Sequence, residues 1–151
     1  MKNVRFVLLS ILLLPATIHT QPRPVSDFPA LLDAIRQGDE VRAVIHYALC
    51  RLTVDSTEVA SPDAIGGMNL STFEYFARNA VRNPKAFVSS SETVLVNHPS
   101  RGHVYNYVKL RIFEDNTVQI IARYLLPGTF EIVMDETFTC TIGDGVHFFI
   151  D

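Results

Sequence analysis

Val104-Tyr105-Asn106-Tyr107-Val108-Lys109-Leu110-Arg111-Ile112-Phe113 alternates Val104, Asn106, Val108, Leu110 and Ile112 against Tyr105, Tyr107, Lys109 and Arg111. A period of two, rich in β-branched and aromatic residues, is the pattern of a strand with one face buried. Asp115-Asn116 follows as a short polar turn, and Val118 to Leu125 returns as a second extended run. Two such runs across a short turn make an antiparallel hairpin.

The same reading extends outward in both directions. Downstream, Pro127-Gly128 turns into Phe130 to Ile142, which places Ile132, Met134, Phe138, Cys140 and Ile142 on one face and Glu131, Asp135, Thr137, Thr139 and Thr141 on the other. Gly143-Asp144-Gly145 turns again, into the closing strand Val146 to Ile150. Upstream, Ala86 to Asn97 reads as extended, Val41 to Tyr47 alternates, and Cys50, Leu52 and Val54 form a further set, giving one bent strand or two. Asn69 to Asn83 fits a helical stripe as well as a strand; we read it as a strand through Phe76. Only the segment before Gly38 has helical spacing, with Phe28, Leu31, Leu32 and Ile35 at three- and four-residue steps behind an N-cap at Ser26 or Asp27. The fold class is therefore mainly β: one short N-terminal helix, then about seven or eight strands forming an antiparallel meander closed into or curled toward a small barrel.

Lys2 and Arg5 precede an apolar run from Phe6 to Leu14 broken only by Ser10, which is the profile of a signal peptide. Cleavage after Thr20, with Ala16 as the alternative, would leave residues 21–26 as a polar leader and 27–151 as one β-rich domain. We expect a secreted protein, periplasmic if its source is a Gram-negative bacterium, with no membrane span. Losing Lys2 and Arg5 takes the net charge from -3 to -5, which disfavours nucleic acid as a partner. Cys50 and Cys140 both lie in the mature part, and in an oxidising compartment two thiols usually pair. The alternative is two separate buried thiols. If they pair, an early and a late strand must be neighbours.

The residues offer little chemistry. His46, His98, His103 and His147 show no metal-ligand spacing, no nucleophile elbow or phosphate loop is present, and neither a catalytic residue nor a cofactor is indicated. Glu136 shares a face with Met134 and Phe138, so if buried it needs a partner such as Arg111 or Arg123. Tyr105, Tyr107, Lys109 and Arg111 form a mixed aromatic and polar strand face that either lines a ligand site or faces water. Asn69-Leu70-Ser71 is a glycosylation sequon, meaningful at Asn69 only in a eukaryotic secretory host.

Val41 to Tyr47 through Cys50, Ile65-Gly66-Gly67-Met68 with Phe73, Ser91-Glu92-Thr93, Tyr107 to Ile112, and Thr137 to Cys140 through Gly145 to Phe149 together resemble the VirK family. The resemblance implies an exported protein of a family linked by name and gene neighbourhood to virulence in bacteria, with similar sequences in animals. It implies a domain type without supplying catalytic residues, and the match at both cysteines adds to the disulfide reading. We expect a non-enzymatic binding or interaction protein for a small apolar ligand or an extracellular protein. The alternatives are a hydrolase built from His46, His103 or His147 with Glu92 or Glu136, and a defence or virulence effector acting on a protein partner.

Overall fold

The computed structural model describes residues 21–150, so the expected signal peptide lies outside the described residues. In chain order these residues form β1 (Arg23–Val25), α1 (Phe28–Gln37), β2 (Val41–His46), a single 3-10 turn (Tyr47–Leu49), β3 (Arg51–Val54), β4 (Thr57–Val59), β5 (Ile65–Asn69), β6 (Phe73–Phe76), β7 (Phe87–His98), β8 (Gly102–Phe113), β9 (Thr117–Leu125), β10 (Ile132–Ile142) and β11 (Gly145–Ile150).

The hairpin read first from the sequence is β8 and β9, paired antiparallel from Tyr105 opposite Leu125 to Ile112 opposite Val118. Its turn is closed by Asn116, which adopts φ 67°, a left-handed conformation that Asn tolerates better than most side chains. Asn116 also ties three elements together. Its side-chain oxygen accepts the Phe28 N–H at 2.8 Å, and its carbonyl accepts the Ile142 N–H at 2.9 Å. The Asp27 carboxylate caps the same helix by accepting from Ala30 at 2.9 Å, and Gly38 ends it in the left-handed conformation. Of the two N-cap candidates, Asp27 holds the position.

From β6 through β10 the sheet is an antiparallel meander, each strand hydrogen-bonded to the next. Beyond β10 it divides. β3 and β4 continue alongside β10, whereas β11 turns away to pair with β1 on one side and β2 on the other, with β5 beyond β2. β10 and β11 meet only where Thr141 faces Gly145 and Ile142 faces Val146, a corner rather than a hairpin. The sheet thus curls into a half-barrel. α1 contributes Phe28, Leu31, Leu32, Ala34 and Ile35 to one core shared with Val88, Leu110, Ile112, Val118, Ile120, Phe138, Val146 and Phe148. Burying each large apolar side chain in such a core stabilises by about 1.5–3 kcal/mol.

Cys50 and Cys140 stand at disulfide distance, with Sγ–Sγ 2.03 Å and Cα–Cα 4.7 Å. Leu52 opposite Phe138 fixes the β3–β10 register, and continuing it two residues brings Cys50 directly opposite Cys140. The early and late strands are therefore neighbours, as pairing requires. Gly145 lies beneath this bridge at φ 87°, where an added Cβ would come within 3.0 Å of the Cys50 sulfur.

Several sequence expectations need correction. The described residues form eleven strands rather than seven or eight, because β1, β4 and β5 are too short or too Gly-rich to show alternation. β1 falls inside the expected leader and pairs Arg23 with Ile150 and Val25 with Phe148. β3 and β4 form a tight hairpin through Asp55 and Ser56, both at positive φ (47° and 65°), the geometry that matches strand twist in two-residue turns. The strand reading of Asn69 to Phe76 holds, by contrast: β6 covers Phe73–Phe76 and no residue from 69 to 83 is helical. Finally, β10 does not alternate uniformly. A bulge between Ile132 and Met134 lets Ile132 face Leu125 while Met134 faces Tyr124, so one extra residue moves Ile132 to the face opposite Met134.

Candidate functional site

β7 to β10 run past the core, and their far ends carry the features that set this protein's surface apart. Three cross-strand pairs on the convex face make one apolar row of four residues: Leu95 faces Tyr105, Tyr105 faces Leu125, and Leu125 faces Ile132. Ile132 belongs to this row only because of the bulge. Phe130 stacks over the Tyr105 ring, with centroids 6.0 Å apart and planes 8° from parallel. Thr93, Tyr105, Tyr107, Arg123, Leu125, Phe130 and Ile132 surround a recess of about 270 Å³. Among the described residues its one charged wall is Arg123, whose Nε donates to Asp135 at 3.0 Å, a bond that raises the guanidinium pKa further. The ion pair leaves the recess with an apolar floor and one neutralised polar edge. Such a lining suits a small apolar or ring-bearing molecule.

The concave face of the same strand ends is different. Tyr124 meets the His98 ring edge-on at 5.2 Å, and the two rings bridge β8 from its neighbours on either side. Val104, midway between the partners of His98 and Tyr124 on β8, is fully buried under them. Tyr47 packs on Phe138 at 4.7 Å, with its ring over Gly66, where an added Cβ would lie 2.9 Å from the ring. Burial pushes the Tyr47 hydroxyl above the usual tyrosine range, and Tyr124 and Glu136 add to the shift. Tyr47, Tyr124, His98 and Glu136 therefore gather at the mouth of the half-barrel.

The residues singled out in the sequence fall into separate places. Glu136 does lie on the concave face, opposite Ala122, but Arg123 and Arg111 lie one residue out of phase and point to the convex side. Neither can partner it, and the group it acts on is the Tyr47 hydroxyl. Arg111 is left with a buried Nε that has no hydrogen-bond partner among the described residues. His46 and His147 meet ring to ring at 5.6 Å on β2 and β11, on the face opposite the buried pair Ile45 and Val146. His103 is exposed near the β7–β8 turn, on the opposite parity of the sheet from Glu92 and Glu136. These histidines and carboxylates do not converge into one site. Asn69 and Ser71 are exposed beside a second recess of about 400 Å³, which Asp39, Glu40 and Arg42 also line. Among the described residues no helix is long and apolar enough to cross a membrane.

Tyr105 and Tyr107 were visible in the sequence as a strand face. Phe130, Leu125 and Ile132 were not, because only the bulge and the turn after Pro127 bring them there. The signal available was the run of apolar residues Leu125, Leu126, Phe130 and Ile132 around Pro127-Gly128, too many for a turn that faces only water.

Comparison with known proteins bears on the fold. A crystal structure of a VirK family protein from Legionella pneumophila superimposes with a TM-score of 0.66 at 17% identity, covering 84% of this chain and 98% of that one. Among curated proteins no sequence matches. The sequence model of the VirK protein family matches residues 24–130, well over half of the chain, and the chain belongs to the VirK family.

Proposed function

We propose that this is an exported, non-enzymatic binding protein whose ligand is a small apolar, ring-bearing molecule seated in the convex recess between Tyr105, Tyr107, Phe130 and Ile132. One observation carries the reading. Phe130 is held at φ 56°, a conformation that costs a bulky residue roughly 1–3 kcal/mol, yet the residue is 64% exposed. A strained backbone that presents an aromatic ring to solvent over a second aromatic ring gains nothing for the core, and a bound ring would repay it. The neutralised Arg123–Asp135 edge gives such a ligand one polar anchor. The disulfide-distance cysteines support export, since thiols persist as disulfides in oxidising compartments.

The chain has no tryptophan and five tyrosines, two of them in the recess, so tyrosine emission reports on occupancy directly. A panel of small aromatic and apolar molecules should contain members that quench this emission and raise the melting temperature with concentration. Phe130→Gly should abolish both responses while leaving the circular dichroism spectrum unchanged. A panel without a single hit, or binding that survives Phe130→Gly, refutes the reading.

A further inference from the structure

A strand at the margin of a sheet exposes alternate backbone N–H and C=O groups, and soluble proteins usually blunt such margins with charge, proline or brevity. β6 pairs with β7 only from Phe87 to Ser90. The following stretch, Ser91 to His98, is bonded to β8 on one side and has no strand on the other among the described residues. This open margin is long and apolar. It reads Ser91-Glu92-Thr93-Val94-Leu95-Val96-Asn97-His98, with Val94 44% and Leu95 56% exposed on opposite faces. A single charged residue, Glu92, interrupts it, and its carboxylate has no hydrogen bond or ion pair among the described residues.

The stretch is self-complementary. An antiparallel copy related by a twofold axis at Leu95 sets Leu95 against Leu95, Val94 against Val96, Thr93 against Asn97, and Glu92 against His98. Like sizes meet, and the one carboxylate meets an imidazole on the concave face. The His98 Nδ1 accepts the Ser100 N–H at 3.2 Å, so Nε2 is left to donate once the ring swings off Tyr124 toward the margin. Shifting the axis by one residue destroys the match. Centred on Val94, the pairing sets Glu92 against Val96; centred on Val96, it sets Val94 against His98.

We propose that the open margin of β7 is a homodimer interface, in which two copies pair antiparallel about Leu95 and join their meanders into one continuous sheet. The partner that fits is a second copy of this chain, because the charge and size pairing closes only on itself. The convex apolar row from Ile132 through Leu95 then runs on into the second copy, and Asn97 of that copy comes to stand beside Thr93 at the rim of the recess. The interface does not depend on the recess being occupied.

Sedimentation equilibrium on the purified protein should give twice the chain mass, and Leu95→Lys, which sets two ammonium groups face to face, should give the single mass with an unchanged fold. Glu92→Lys should weaken the dimer about tenfold or more, as expected for loss of a charge-assisted hydrogen bond, and Glu92→His combined with His98→Glu should restore it. Register is read by crosslinking. Directly opposed Cα atoms in such a pair are about 4.5–5.5 Å apart, within disulfide reach, so Leu95→Cys should crosslink to its copy on mild oxidation. Thr93→Cys, about 13 Å from its own copy in this register, should not. A monomer at every concentration, a dimer indifferent to Leu95→Lys, or equal crosslinking by the two cysteine variants overturns the proposal.

Discussion

Within β7 the chain passes from Val88, fully buried against α1 and the core, to Val94 and Leu95, which face solvent on both sides of the sheet. On β8 the contrast is one of faces: Leu110 and Ile112 lie in the core, whereas Tyr105 and Tyr107, of the opposite parity, line the recess. Both halves are written in the same alternating, β-branched and aromatic vocabulary. What separates them is the cover: α1 is only ten residues long, and its apolar face shares the core with Val88, Leu110 and Ile112. Alternation thus encodes which side chains share a face, and the length of the covering element decides which faces are dry. Apolar residues kept on an uncovered half are free to serve binding, and the sharpest tests set the two halves against each other.

The largest effect should come from the covalent link in the packed half. Replacing Cys50 and Cys140 with Ala releases a loop of 90 residues, worth about 4–5 kcal/mol in the chain-entropy treatment and less if the unfolded chain keeps structure. Urea unfolding measures this, and thiol titration of the unreduced, denatured protein should find no free thiol. Two free thiols would remove the bridge from the account.

The next effect is a matched pair of identical substitutions on neighbouring strands. Leu110→Ala, in the fully buried position, should cost about 2–5 kcal/mol. Leu95→Ala, on the exposed end, should shift the stability of the isolated monomer, measured at high dilution, by no more than about 0.5 kcal/mol. Near-equal losses would mean that the far end of the sheet is as well packed as the core, and the contrast between halves would be lost.

Much of this division was legible in the sequence, and the reasons for the rest are specific. The β8–β9 hairpin, the helix with its Asp27 cap, and the neighbourhood of Cys50 and Cys140 follow from periodicity, turn chemistry and strand order. The convex row did not emerge, because a bulge is one uncounted residue and period-two reading has no means of detecting it. Strict alternation therefore puts Ile132 on the face of Met134 and hides the row it completes. The partners proposed for Glu136 failed on the same rule applied correctly: Arg111 and Arg123 carry the opposite parity, which pairing register alone reveals. The corner at Gly143 to Gly145 was read as an ordinary turn because glycine signals a bend without saying between which strands.

Phe130 gives a smaller and more diagnostic effect. Phe130→Gly relieves the positive-φ strain while losing a ring stack worth about 0.5–1.5 kcal/mol, so the two changes should nearly cancel. We expect a stability change within about 1 kcal/mol together with complete loss of ligand response. A large destabilisation would show that Phe130 belongs to the packed half despite its exposure.

Tyr47 lies where the halves meet, and its effect at neutral pH should be the smallest. Because burial first, and then Tyr124 and Glu136, raise its folded-state pKa, the native protein keeps the phenolic proton after an unfolded chain has lost it near pH 10. Between those two values the unfolded state binds fewer protons, so stability falls as pH rises. The contribution is complete below about pH 10 and disappears as pH climbs through the folded value. Tyr47→Phe removes the ionisable group but keeps the ring on Phe138. It should match the parent from pH 7 to 9 in urea midpoint and lose less stability than the parent above pH 10. Parallel curves for the two proteins across that window would place the hydroxyl in water, and the mouth of the half-barrel would then belong with the uncovered half rather than with the core.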